Sequence, residues 1–228
     1  MRVVSLHADV LLATSAIWQT NCVLVRCENE AFVIDSPILP EEIEALPAVV
    51  GQAQFPQPVG LLATHGDWDH LLARLAFPQA ALGCAPSTAE RMSAEPGAAQ
   101  RELRKFDKEL YVVRSAPLML GAIQPLAVPG VCEIGSRELK LYPADGHTVD
   151  GMAVWIDWAK VLVVGDYLST VEPPKVEGSP AAYLATLERL RPLVESADHV
   201  VPGHGPVLDR ERALGTLDEH VEAVSRLT

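Results

Sequence analysis

Short apolar stretches separated by turn-forming residues make up the first third of the chain. Stretches of ~4 to 8 residues with this pattern predict buried β-strands. The predicted strands are residues 10–13, 22–26, 31–34 and 59–63. Residues 40–50, with early acids ahead of regularly spaced apolar residues, predict a helix, and so do residues 70–77. The pattern therefore favours three strands and a helix, and after them a further strand that leads through a loop into a second helix.

The rest of the chain repeats this organisation. Residues 86–110 are polar with helical spacing, and residues 84–120 as a whole are where a helical insertion that covers a pocket would fall. The remaining predicted elements are the strands 138–142, 152–156 and 160–164, a strand-like segment at 199–201, and the helices 179–196 and 209–227. Two blocks of strands, each closed by helices, predict one α/β domain over residues 1–228, a sandwich with helices on the outer faces of two sheets.

Composition and net charge limit the classes of molecule that this protein can be expected to bind. Hydrophobic residues are 49% and charged residues 21% of the 228, which is typical of a globular protein. Lys and Arg number 18 against 30 Asp and Glu, so the formal net charge is -12 at pH 7. An acidic surface repels polyanions, so we expect a small-molecule substrate and not nucleic acid.

The sequence predicts neither a membrane span nor a secretion signal. Residues 116–131, the longest mostly apolar stretch, contain three prolines, so they cannot form a spanning helix of ~20 residues. His7 and Asp9 stand where a signal peptide has basic residues. The 4 cysteines form no C-x-x-C pair and are interpreted as free thiols in a reducing compartment. A cytoplasmic location is therefore predicted.

Potential metal ligands are dense directly after the fourth predicted strand. The segment Thr-His-Gly-Asp-Trp-Asp-His, which starts at Thr64, contains His65, Asp67, Asp69 and His70. A loop at the carboxyl end of a strand can direct alternate side chains into one crevice, whereas a regular helix or strand could not bring all of them together. Such a density of imidazoles and carboxylates points to metal binding.

Three later turns each offer one more candidate ligand after an apolar run. They are Asp-Gly-His-Thr with His147, Val-Gly-Asp-Tyr with Asp166, and Pro-Gly-His-Gly-Pro with His204. Each glycine permits a tight backbone path next to a ligand. Taken singly, such a segment is more often an ordinary turn. Together, and in this order behind the Thr64 segment, they support one another.

These motifs resemble those of the metallo-β-lactamase-fold hydrolase superfamily, in particular its glyoxalase II and lactonase-like members, from about residue 10 to the end. The resemblance implies a four-layer αβ/βα sandwich with metal ions in the crevice between its halves. Carried over by position, it implies that His65 and His147 bind one metal, that Asp69, His70 and His204 bind the other, and that Asp166 bridges them.

Asp67 departs from the family pattern H-x-H-x-D-H, in which a histidine stands at this position. An aspartate oxygen hangs from Cγ, as the expected histidine Nδ1 does, so Asp67 can reach the metal directly. Alternatively, Asp67 only hydrogen-bonds a ligand or water and leaves a weaker or single-metal site. As a ligand it would make the site with two divalent ions and a hydroxide neutral. The extra oxygen ligand suits Fe or Mn as well as Zn, and Zn remains the default.

The implied activity is hydrolysis by a metal-bound hydroxide, with Asp69 as the catalytic residue that orients the nucleophile and moves its proton. We expect a small ester, thioester or lactone substrate. One alternative is a non-haem iron oxidoreductase of the same fold, either a sulfur dioxygenase or an enzyme that reduces oxygen or nitric oxide. Others are a phosphodiesterase and a ligand-binding relative with a degraded site. The oligomeric state stays open.

Overall fold

Two mixed β-sheets form the centre of the molecule in a computed structural model. The structure describes residues 1–227, so the last residue of the predicted domain 1–228 lies outside the described residues. The seven strands of the first sheet lie in chain order, and those from β4 onward run parallel. They are β1 (Arg2–His7), β2 (Val10–Thr14), β3 (Asn21–Cys27), β4 (Glu30–Asp35), β5 (Pro58–Leu62), β6 (Ala81–Cys84) and β7 (Ile123–Pro125).

The second sheet has five strands in the order β12-β11-β10-β9-β8, antiparallel except for the parallel pair β11 and β12. They are β8 (Gly130–Ile134), β9 (Arg137–Pro143), β10 (Met152–Ile156), β11 (Val161–Val163) and β12 (His199–Val201). The helices are α1 (Pro40–Gln52), α2 (Ala73–Ala76), α3 (Pro86–Ala94), α4 (Ala98–Glu109), α5 (Pro180–Ser196) and α6 (Arg210–Ser225). Short 3-10 turns lie at Trp68–His70 and Asp157–Ala159.

Side-chain alternation along the strands builds the layers. Leu24 of β3 packs in one cluster with Leu46 of α1, whereas its neighbour Val23 packs in another with Val154 of β10. The following residue of β10, Trp155, belongs to a third cluster with the leucines of α5 and α6. Successive strand residues face opposite sides of a sheet, so each sheet has one face on the other sheet and one on helices. The predicted four-layer sandwich is confirmed.

The helix predicted over residues 70–77 is wrong in its bounds. The chain forms the 3-10 turn Trp68–His70 and resumes as a helix only at Ala73. Ser36 explains the interruption, because its hydroxyl donates to the Asp69 carbonyl at 2.7 Å and accepts the Leu72 N–H at 2.9 Å. These bonds replace helical ones and hold the loop in its own shape.

The helical segment predicted over residues 86–110 is two helices, α3 and α4, which are separated at Gly97 with its positive φ of 78°. Four strands, β1, β6, β7 and β8, lie where the sequence analysis predicts none. In residues 1–227, no helix has the length and apolar character that crossing a bilayer requires. The four cysteines are free thiols, and the cytoplasmic location stays a prediction.

Candidate metal centre

The predicted ligands converge in the crevice between the sheets, each from the end of a strand. The segment from His65 to His70 follows β5, His147 follows β9, Asp166 follows β11 and His204 follows β12. All seven side chains of the prediction come together: His65, Asp67, Asp69, His70, His147, Asp166 and His204. The sequence order of the motifs thus becomes one cluster in space.

Two groups of potential ligand atoms can be distinguished in this cluster. His65, Asp67 and His147 form the first group, and Asp69, His70 and His204 form the second, with the ligand atoms of each group within 4.8 Å of one another. In the first group, His65 Nε2 lies 3.6 Å from Asp67 Oδ2. In the second, Asp69 Oδ2 lies 3.3 Å from His204 Nε2 and 3.6 Å from His70 Nε2.

Asp166 stands between the two groups. Its Oδ2 lies 3.2 Å from His147 Nε2, and its Oδ1 lies 3.2 Å from His70 Nε2. The backbone must come very close here, because a Cβ on Gly203 would lie 2.0 Å from Asp166 Oδ1. Glycine is therefore required beside this carboxylate.

All four histidines turn Nε2 inward and Nδ1 toward an oxygen. The Nδ1 neighbours are Thr64 Oγ1 at 3.2 Å for His65, Asp35 Oδ2 at 3.0 Å for His70, the Lys175 carbonyl at 2.9 Å for His147, and the Trp18 carbonyl at 3.2 Å for His204. An Nδ1–H toward an oxygen leaves a lone pair on Nε2, which is the form that binds a metal.

Buried polar atoms without hydrogen-bond partners support the fit to metal ions. In the described part of the chain they include the Nε2 atoms of His65, His70 and His147 and Oδ1 of Asp166. Buried polar groups are normally paired, and an unpaired set that faces one point marks a place for an ion. Imidazole and carboxylate donors suit divalent Zn, Mn and Fe. The residues therefore fit the metals that the sequence predicts.

The ionisation of the cluster follows from its acids. Burial would lower the pKa of His204, but hydrogen bonds to Asp166 and Asp69 raise it to about 10. Burial would raise the pKa of Asp166, but the charges of His70 and His65 hold it well below the usual range. Without metal, His204 thus holds a proton and Asp166 a negative charge, which is an arrangement that a cation can replace.

Asp35 is a residue of the candidate site that the sequence analysis missed. Its carboxylate is buried beside His70 and accepts hydrogen bonds from the Thr64 N–H at 2.8 Å and the Thr64 hydroxyl at 2.9 Å. It ends β4 with a positive φ of 59°, a conformation that aspartate tolerates better than most residues. An acid that directly follows an apolar strand was the only available signal.

Tyr167 is a second missed residue. Its hydroxyl accepts the His147 N–H at 2.9 Å and donates to the Asp145 carbonyl at 2.7 Å. Because Tyr167 directly follows Asp166, its hydroxyl connects the loop that carries Asp166 to the loop that carries His147. The other histidines lie outside the cluster: His7 accepts the Asp9 N–H, and His220 contacts Tyr183.

Two cavities flank Asp67 and Trp68. One, of about 520 Å³, opens onto Asp69, Asp166 and His204, and the other, of about 350 Å³, lies against α3 and α4. Trp68 packs at a ring-centroid distance of 4.7 Å from Phe106 of α4. In the segment 84–120, Met92 and Leu120 line the smaller cavity, Phe106 is buried, and Leu110 and Met119 are exposed.

The family model described as the metallo-beta-lactamase superfamily matches residues 16–204, from the loop after β2 to the last candidate ligand. The chain belongs to the metallo-beta-lactamase superfamily. Members are generally metal-dependent hydrolases, and the fold and the clustered ligands agree with that membership.

Curated relatives match shorter segments. Over 89 residues the chain is 32% identical to the Beta-lactamase-like protein 2 homolog of Caenorhabditis elegans, a match that covers 39% of this chain and 28% of that protein. Over 81 residues it is 32% identical to a metallo-beta-lactamase type 2 of Bacillus sp. (strain 170), with 34% of this chain and 32% of that protein covered. The matches thus span about a third of these relatives.

Solved structures share the fold over the whole chain. The DIM-1 metallo-beta-lactamase exposed to ceftazidime superposes with a TM-score of 0.71 at 18% identity, over 100% of this chain and 97% of that one. A metallo-beta-lactamase family protein from Thermus thermophilus gives a TM-score of 0.71 at 20% identity, over 98% and 83%. At these identities the likeness establishes the fold alone.

Proposed function

We propose that this protein is a metal-dependent hydrolase of a small ester, thioester or lactone, with two divalent ions as its cofactors and Zn as the default metal. His65, Asp67 and His147 would hold one ion, Asp69, His70 and His204 the other, and Asp166 would contact both. The observation that carries the proposal is the convergence of these side chains on one crevice, with buried Nε2 atoms that have no hydrogen-bond partner.

Bound at these residues, divalent ions would supply a water of lowered pKa and a positive charge next to the substrate oxygen. The chain itself would position the reactants. Asp69 lines the larger cavity, and although burial would raise its pKa, the charge of His70 and the hydrogen bond with His204 lower it. The carboxylate is therefore ionised at neutral pH and can orient the attacking water and take up its proton.

The walls of the larger cavity fit a neutral or weakly charged substrate. Trp18, Trp68 and Val171 provide apolar surface, and Lys175 at the rim is paired with Glu177 at 2.6 Å. A volume of about 520 Å³ suits a small molecule. The net charge of -12 disfavours capture of an anionic phosphodiester.

A substrate panel with protein loaded separately with Zn, Mn and Fe tests the proposal. It contains p-nitrophenyl esters, acyl-glutathione thioesters, lactones and bis-p-nitrophenyl phosphate. We expect hydrolysis of a carboxylic substrate that falls at least about 100-fold in Asp69→Ala. Asp157→Ala, which removes an exposed carboxylate in the 3-10 turn Asp157–Ala159, is the matched control and should hydrolyse like the wild type.

Three results would overturn the proposal. Hydrolysis that survives Asp69→Ala would remove the role of that carboxylate. Oxygen consumption with a thiol substrate would instead support the non-haem iron oxidoreductase. Absence of uptake of Zn, Mn and Fe in calorimetry would remove the metal centre altogether.

A further inference from the structure

Arg91 of α3 joins two carboxylates beside the candidate metal centre. Its Nη2 donates to Asp67 Oδ1 at 2.7 Å, and its Nη1 donates to Asp150 Oδ1 at 2.8 Å. The Asp150 side chain is 0% exposed, and that of Arg91 is 33% exposed. Charge-assisted hydrogen bonds of this length are stronger than neutral ones and fix the direction of both partners.

Both branches of the guanidinium fork act on the same loop. Asp150, which Arg91 holds through Oδ1, accepts the Gly66 N–H at 3.0 Å through Oδ2. Gly66 lies between His65 and Asp67, the two candidate ligands from this loop. Arg91 thus reaches the loop once through the Asp67 carboxylate and once through the backbone at Gly66.

The two oxygens of Asp67 face different partners. Oδ1 receives the Arg91 hydrogen bond, while Oδ2 points to the first group of ligand atoms, 3.6 Å from His65 Nε2. A free aspartate can rotate both oxygens away from a metal, whereas one that is held at Oδ1 presents Oδ2 in a fixed direction. The guanidinium also supplies the positive charge that the exchange of histidine for aspartate removes from the site.

We propose that Arg91 is a positioning residue for metal binding, which holds Asp67 with Oδ2 toward the first metal group and balances the charge of that carboxylate. This inference rests on the proposed metal centre. Arg91 also lines the smaller cavity, but both of its terminal nitrogens are engaged by carboxylates, so its first role is toward the loop and not toward a substrate. The role also gives the α3 segment a function beyond covering the pocket.

The experiment measures the two stepwise dissociation constants for Zn²⁺ by competition with a chromophoric chelator, in wild type, Arg91→Gln and Arg91→Lys. The visible absorption of Co²⁺-loaded protein reports the geometry around each ion. Arg104→Gln, at an exposed position of the neighbouring helix α4, is the matched control. Thermal unfolding of the metal-free proteins checks that each variant folds.

We expect one dissociation constant to rise about 10- to 100-fold in Arg91→Gln, with a changed Co²⁺ spectrum at that equivalent only. Arg91→Lys keeps the charge but cannot bridge Asp67 and Asp150, so it should also weaken that step, by a smaller factor. If loss of the charge opposite Asp150 prevents Arg91→Gln from folding, the Arg91→Lys variant tests the inference in its place. In the Asp67→Ala background, where the hydrogen bond from Arg91 to residue 67 cannot form, Arg91→Gln should change the constant by a clearly smaller factor than in the wild type, since only the route through Asp150 and Gly66 remains.

Unchanged constants in the folded Arg91 variants would overturn the inference, and so would a full further loss in the Asp67→Ala background. If the wild type itself binds neither Zn²⁺ nor Co²⁺, the proposed function fails. If the wild type binds two ions and the Arg91 variants bind them equally well, only the role of Arg91 fails.

Discussion

The two ligand groups of the candidate centre differ in what lies behind them. In the second group, His70 is backed by Asp35, which is buried at the end of a central strand and bound to Thr64. In the first group, Asp67 is backed by Arg91, which comes from a surface helix and is a third exposed. His70 is therefore supported directly by a core carboxylate, and Asp67 by a helix that lies over the crevice. His65 of the first group reaches Asp35 only through the Thr64 hydroxyl.

The charges of the two supporting groups are also opposite, and they have opposite effects on the ligand atoms. A carboxylate behind a histidine increases the donor strength of its ring, whereas a guanidinium on a carboxylate draws charge away from the ligand oxygen. We therefore expect the group with Asp69, His70 and His204 to bind its ion more tightly. The group with Asp67 should hold the ion that exchanges first.

Removal of the residue shared by both groups should have the largest effect. Asp166→Ala takes away the carboxylate whose two oxygens face His147 and His70, so both metal occupancies should fall and not only one. Elemental analysis after dialysis against a weak chelator measures this, with Asp157→Ala as the control. Full retention of one ion would show that Asp166 serves a single group.

The second-largest effect should be that of pH on metal affinity, which should fall as the pH falls. His204 has a pKa of about 10 in the metal-free fold, so it carries a proton at neutral pH that a metal must displace. Metal affinity should therefore fall about tenfold for each pH unit below that value through this group alone. Calorimetry at pH 6 to 8 in buffers of different ionisation enthalpy should detect the released proton.

The same shift governs the stability of the metal-free protein. A pKa raised above the unfolded value of ~6.5 stabilises the fold fully below that pH, and the stabilisation is lost as the pH rises toward 10. The gain in Tm on addition of Zn²⁺ should thus grow from pH 6 to pH 8. A pH-independent gain would contradict the assignment of His204 as a ligand.

The sequence identified side chains that converge in the structure because these residues occur in dense or repeated turn motifs. Its prediction of two strand blocks closed by helices was also sufficient for the layers. Asp35 and Arg91 escaped prediction for a physical reason. Each acts through a partner far along the chain, Asp35 on Thr64 and Arg91 on Asp67 and Asp150, and no local pattern encodes such a pair. The interruption after His70 likewise depends on Ser36 of another segment.

Asp35→Asn tests the group supported by the core. Asparagine keeps the shape and tolerates the positive φ at this position, but its amide places a donor opposite either the Thr64 N–H, or the Thr64 hydroxyl and His70 Nδ1. We expect the tighter Zn²⁺ constant to rise about 10- to 100-fold while the weaker one changes less. Chelator competition measures both, and an equal loss at both steps would show that the two groups are not supported separately.

Asp67→His should have the smallest effect on Zn²⁺ affinity. It tests the part of the comparison that concerns the first ligand group. The change restores the imidazole that the family motif has at this position, and it leaves Arg91 paired with Asp150, so Zn²⁺ affinity should stay within about tenfold of the wild type. The site gains one positive charge, which favours ionisation of a bound water, and the acid limb of the pH–rate profile should move to lower pH. Asp67→Asn, which keeps the shape but not the charge, should instead weaken the first group. If both variants keep the wild-type metal content and the wild-type profile, Asp67 lies outside the ligand set and Arg91 serves only the loop.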